Sequence, residues 1–183
     1  MYIQSDDRPS GYAEDPMAGV GMAPVIAVEA GGAAVIIAII EAIAFVASAA
    51  AAAYLLIKAY EAAQARGFGI ALAKAALTAG LRPMINMGKR MAALAKAFFQ
   101  SAAEWARKRP DCQRALFEAM RAIAELEKIL LQMEAELQLP VPRADLLRRM
   151  LTEMKDLAIK TKDLWMAFKN LCGPGIGPGP IPA

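Results

Sequence analysis

The chain has 183 residues, 57% of them apolar, with a net charge of +3, two cysteines and no histidine. The missing imidazole removes the commonest general base and the usual ligand of first-row metal sites. Two cysteines without a CxxC spacing cannot build a four-thiolate site by themselves. The length allows one medium domain with an appendage or two small helical units. A mean hydropathy of +0.34 leans toward a membrane without deciding it, because much of it comes from alanine.

The charges are sorted along the chain. Positions 1–65 hold two basic and seven acidic residues, positions 66–109 hold nine basic residues against Glu104 alone, and positions 110–183 hold ten of each. Sorting of this kind fits a chain that meets different surroundings along its length, or chance clustering on solvated helix faces.

In chain order, positions 1–24 carry Asp6, Asp7, Glu14 and Asp15 among prolines and glycines. They read as an acidic flexible arm, and the acidic start does not resemble a secretory leader. Positions 25–66 form a long apolar helix. Within it Ala33 to Ile57 contains one charge, Glu41, and one other plainly polar side chain, Ser48. At about 1.5 Å per residue this run covers the ~30 Å hydrocarbon core of a bilayer. A stretch so apolar on every side is expected to need lipid or protein neighbours, more than the chain itself can supply. Ala47 to Ala53 offers a slim surface for a second helix. Glu41 is the expensive residue of a span. It is a proton or ion site, a polar contact between subunits, or a neutral or snorkelling side chain.

Positions 67–109 form a basic amphipathic helical region, with a break at Gly67-Phe68-Gly69 and a further boundary expected at Arg82-Pro83. Lys74, Arg82, Lys89, Arg90 and Lys96 alternate with leucine, methionine and phenylalanine. That pattern suits either contact with anionic lipid or the outer face of a bundle helix. Nucleic acid is not expected, because no recognised binding motif accompanies the charge.

Arg107 to Asp111 reads as a loop, and positions 110–172 as an antiparallel helical hairpin. Its first helix runs from Cys112 to Leu139, with Leu116, Met120, Ile123, Leu126, Leu130, Met133 and Leu137 inward. Pro140-Val141-Pro142 turns the chain. The second helix, Arg143 to Cys172, has a heptad seam at Leu147, Met150, Met154, Leu157, Thr161, Leu164, Phe168 and Leu171. Antiparallel packing brings Cys112 and Cys172 to the same end, either as a disulfide or as two reduced thiols. Several exposed carboxylates, such as Glu118 near Arg121 and Glu125 near Lys128, have the spacing of helix-surface ion pairs. Positions 173–183 are a Gly/Pro-rich tail.

No phosphate loop, dinucleotide fingerprint or nucleophile elbow occurs, and a His-containing di-metal bundle is impossible. The fold expectation is all-α: a long apolar, transmembrane-type helix followed by a helical bundle with a C-terminal antiparallel hairpin. The functional expectation is a non-enzymatic, membrane-associated protein without cofactor, acting as a scaffold or subunit of a larger assembly. Its partners would be a lipid bilayer and copies of itself or other subunits. Alternatives are a secreted or injected membrane-permeabilising effector and a soluble helical subunit of a shell or virion-like particle. Lys58, Arg66 and Lys74 after the apolar run favour a bacterial cytoplasmic membrane with the C-terminal part inside. A disulfide would instead require an exported or injected chain.

Overall fold

The computed structural model describes residues 32–173. The acidic arm, the expected start of the apolar helix at positions 25–31 and the tail beyond Gly173 lie outside the described residues. Within them the chain forms four helices: α1 (Gly32–Arg66), α2 (Ile70–Arg107), α3 (Pro110–Leu137) and α4 (Ala144–Cys172). Connections of two to six residues force neighbours to run antiparallel. Each helix packs against the next, and α4 closes back on α1, so the architecture is an all-α four-helix bundle.

Helix α1 is rich in alanine and has no glycine or proline after Gly32, which suits a 35-residue helix of about 52 Å. It stops at Gly67, whose φ of 79° is left-handed and whose N–H donates to the carbonyls of Ala63 and Gln64 at 3.0 and 3.2 Å. The expected long apolar helix followed by a helical bundle is present in its coarser form, all-α with the long apolar helix first, and α1 is itself a bundle helix. Val35, Ile36, Ile39, Ile43, Val46, Ile57 and Tyr60 are fully buried, and 39% of its most apolar 18-residue window is inside the fold. Its length and composition are those of a membrane span, a signal or a core helix.

Helix α2 corrects the expected boundary at Arg82-Pro83, since it continues through Pro83. Proline there deprives the Ala79 carbonyl of its partner. Both residues lie on the exposed side, where water can serve that oxygen. The expected loop from Arg107 to Asp111 shrinks to Lys108 and Arg109. Arg109 is extended and Pro110 takes the first helical position, where no N–H is needed.

The expected heptad seam of α4 is buried at Leu147, Met150, Met154, Thr161 and Phe168, but Leu157 and Leu164 are half-buried and Leu171 is 45% exposed, and the buried face widens to take in Leu151, Ala158, Trp165 and Cys172. A two-helix hairpin would bury only the seam. A helix that also faces α1 turns its apolar stripe toward both neighbours. Phe98 of α2 meets Trp165 and Phe168 of α4 in a three-ring cluster with all centroid separations at 6.0 Å and edge-to-face planes.

Candidate functional site

The residues that set this bundle apart lie on the outer face of α1. Ile37, Glu41, Phe45, Ser48, Ala52 and Leu55 are exposed and step by three or four, so they form one stripe opposite the buried face. Ile37, Phe45 and Leu55 are 43%, 41% and 67% exposed. The Ser48 hydroxyl donates to the Phe45 carbonyl at 3.1 Å, which turns its polarity back onto the helix's own backbone. Glu41 therefore supplies the charge of this face over its first seven turns, and its carboxylate points outward, away from the core. The outer faces of the other hairpin differ. Helix α3 exposes Arg114, Glu118, Arg121, Glu125 and Lys128, and α4 exposes Arg149, Glu153, Asp156, Lys160 and Asp163.

Beside the stripe, α1 and α4 leave an open groove of about 380 Å³. Ala50, Ala51, Tyr54 and Leu151 form its apolar part, and Lys155 and Asp156 its rim. The alanine segment expected to admit another helix does so within the chain: Ala50 and Ala53 are 2% exposed.

The five cations read from the sequence as lipid contacts are placed as follows. Lys74 Nζ donates to the carbonyls of Leu139 and Pro140 at 2.9 and 3.0 Å, fastening α2 to the α3–α4 turn. Lys89 pairs with Glu134 at 2.8 Å and Lys96 with Glu127 at 3.4 Å, both across the α2–α3 seam. Arg82 is exposed and lines a mixed groove with Thr78, Ile85, Asn86, Leu137 and Gln138, while Arg90 is half-buried. On the other seam Arg148 of α4 pairs with Glu61 of α1. Among the described residues the expected helix-surface pairs, Glu118 with Arg121 and Glu125 with Lys128, do not close, and the ion pairs found run mainly between helices or across a turn. An exposed pair gains little against the freedom its long side chains lose, and of the exposed pairs within one helix Glu104 with Arg107 is the one that closes among the described residues.

Cys112 and Cys172 are joined by a disulfide, fully buried, with Cα atoms 5.9 Å apart and 60 residues between them in sequence. At the opposite end of the same hairpin, the Glu136 side chain is 4% exposed and accepts from the Arg143 backbone N–H at 2.7 Å and from Nε and Nη2 at 3.0 and 2.8 Å. The Arg143 guanidinium holds the Glu136 carboxyl below its ordinary range, against the opposing effect of burial, and the carboxylate in turn raises Arg143.

Sequence reasoning missed the Glu136–Arg143 clamp, the Glu61–Arg148 pair, Trp165 and two glycine notches on α2. A Cβ on Gly80 would overlap the Leu56 side chain of α1, and one on Gly88 would overlap Leu130 of α3. The clamp had a signal, an acid and an arginine flanking the Pro-Val-Pro turn. The buried Trp165 had one too, since it recurs at seven-residue spacing with Leu151, Ala158 and Cys172. The Glu61–Arg148 pair, 87 residues apart, had none. Compared with protein-family models, curated proteins and solved structures, the chain matches none of them.

Proposed function

We propose that this chain is a non-enzymatic, membrane-associated helical scaffold or assembly subunit that works by contact, with the outer stripe of α1 as its apolar contact face. The observation that carries this reading is the contrast between faces. From Ile37 to Leu55 the outward side of α1 holds Glu41 as its charged group, while the outward sides of α3 and α4 are densely charged. An apolar stripe of that length is costly in water and is relieved by lipid or by neighbouring subunits. Partition of the purified chain between buffer, salt-washed membranes and detergent tests it. Retention on salt-washed membranes and release by detergent is expected. A dispersed monomer that stays in buffer at high concentration would sink the reading.

The disulfide favours a second reading, a delivered membrane-permeabilising effector. A buried bridge fits an oxidising compartment, and it secures α3–α4 without securing α1–α2. In that case α1 would enter a bilayer and the basic residues of α2 would meet anionic lipid while α3–α4 stays closed. Dye release from anionic liposomes distinguishes it from a passive scaffold, since only the effector would empty them.

A further inference from the structure

Two of the three connections, the α1–α2 and the α3–α4 turns, lie at one end of the bundle. Lys74, in the second turn of α2, donates to the carbonyls of Leu139 and Pro140 and so holds the Gly67–Gly69 turn beside the α3–α4 turn. Among the described residues the four most exposed large apolar side chains are Leu72 at 77%, Leu55 at 67%, Phe68 at 66% and Val141 at 61%. Phe68 and Val141 sit in the two turns, Leu72 sits in the first turn of α2, and Leu55 is on the α1 stripe that leads up to them. Gly67 and Gly69, with φ of 79° and 74°, reverse the chain on either side of Phe68, so its ring stands at a convex tip.

The charge around this tip is cationic. From Lys58 to Arg82 the sequence has one acid, Glu61, and Arg148 neutralises it. Glu136 is neutralised by Arg143, and Asp145 in the first turn of α4 acts on Arg143 and Arg148. Lys58 and Arg66 remain exposed beside aromatic rings, Lys58 at 5.5 Å from the Tyr54 centroid and Arg66 at 5.2 Å from that of Phe68. Aromatic and aliphatic tips flanked by cations match the boundary between acyl chains and anionic headgroups. Their convex placement also suits a partner that deforms around them.

We propose that this turn end is a docking foot for an anionic lipid surface: Phe68, Leu72 and Val141 enter the headgroup boundary, and Lys58 and Arg66 meet the lipid phosphates. The proposal rests on the membrane reading above and narrows it to one end of the folded bundle. The test is co-sedimentation of the full chain with two kinds of vesicle, phosphatidylcholine alone and an equal mixture of phosphatidylcholine and phosphatidylserine. The double variant Phe68→Ser with Leu72→Ser is compared with Ile159→Ser, a 48% exposed apolar residue of α4 outside both the foot and the α1 stripe.

The expected result is preferential binding to the mixed vesicles, reduced about tenfold or more in the double variant and little changed by Ile159→Ser. An unchanged unfolding midpoint verifies that the double variant folds, and replacement of Val141 by Ser provides a second route to the same loss. Wild-type binding that survives all three foot substitutions overturns the foot and leaves the membrane reading standing. Equal binding to both vesicle types overturns the anionic assignment. A wild type that binds neither, or that dimerises through these residues without lipid, overturns the foot together with the reading beneath it.

Discussion

The two hairpins of this bundle are secured by different means. Helices α3 and α4 are fastened at one end by the Cys112–Cys172 disulfide and at the other by the Glu136–Arg143 clamp, and their outer faces are charged. Helices α1 and α2 are longer, are joined by a three-residue glycine-flanked turn, and expose an apolar stripe. They are tied to the other hairpin by Lys89–Glu134, Lys96–Glu127 and Glu61–Arg148, all solvent-accessible pairs, and by Lys74 donating to the Leu139 and Pro140 carbonyls. Exposed pairs contribute little, about 0–1 kcal/mol each, so the α1–α2 hairpin depends chiefly on packing to stay in place. The difference teaches that one half of the molecule is built to keep its shape and the other half is built with less to hold it.

The largest effect is expected from removing what distinguishes the hairpins. Reduction, or Cys112→Ala with Cys172→Ala, opens a loop of 60 residues, for which chain entropy predicts a loss of up to about 4 kcal/mol. Chemical denaturation with and without reductant measures it. If the reduced chain were as stable as the oxidised one, the bridge would not account for the contrast.

A smaller loss is expected at the seam between the hairpins. In Gly88→Ala the new methyl overlaps Leu130, which is 1% exposed and has no solvent to move into. Overpacking of about 1–3 kcal/mol outweighs the ~1 kcal/mol that alanine gains as a better helix former. A net destabilisation of about 1–2 kcal/mol is therefore expected in equilibrium unfolding.

Smaller again, and dependent on pH, is the loss from Glu136→Gln. The carboxyl of Glu136 is held low by Arg143, so its contribution is complete above the ordinary glutamate range and disappears as pH falls through its lowered folded value. Near neutrality the variant should melt a few degrees below wild type, and the gap should close in acid. Thermal melts across that range check both parts, and a gap that widened in acid would reverse the assigned sign.

How much of this was legible in the sequence follows from where the determining contacts lie. The α3–α4 hairpin could be read because its signals are local: a Pro-Val-Pro turn, apolar residues at three- and four-residue steps, and a cysteine at each far end. Helix α1 was legible as a helix but not as a bundle member, since uniform hydrophobicity hides which face is inward. Only the burial of Val35, Ile39, Val46 and Ile57 in the bundle decides that. The basic residues of α2 illustrate the same limit. Their periodicity is visible, but that Lys89 and Lys96 reach Glu134 and Glu127 depends on the register between α2 and α3, which spacing alone does not carry. The outer stripe of α1, and with it the candidate contact face, emerges only after the inner face has been subtracted.

The smallest expected effect carries the sharpest comparison, because it reverses sign. Gly80 makes the same kind of notch as Gly88, but it faces Leu56 of its own hairpin, and Leu56 is only half-buried. A methyl at position 80 can be met by rotating the Leu56 side chain toward the exposed side of α1, which costs little. The gain of up to about 1 kcal/mol from replacing glycine in a helix interior then remains. Gly80→Ala is therefore expected to be neutral or slightly stabilising where Gly88→Ala is destabilising, and the two can be compared in the same denaturant series. If both variants lose stability equally, Leu56 is as confined as Leu130. The seam within the α1–α2 hairpin would then be as rigid as the one that joins it to its partner, and the picture of one firm and one loosely held half would fail at the contact where it is easiest to measure.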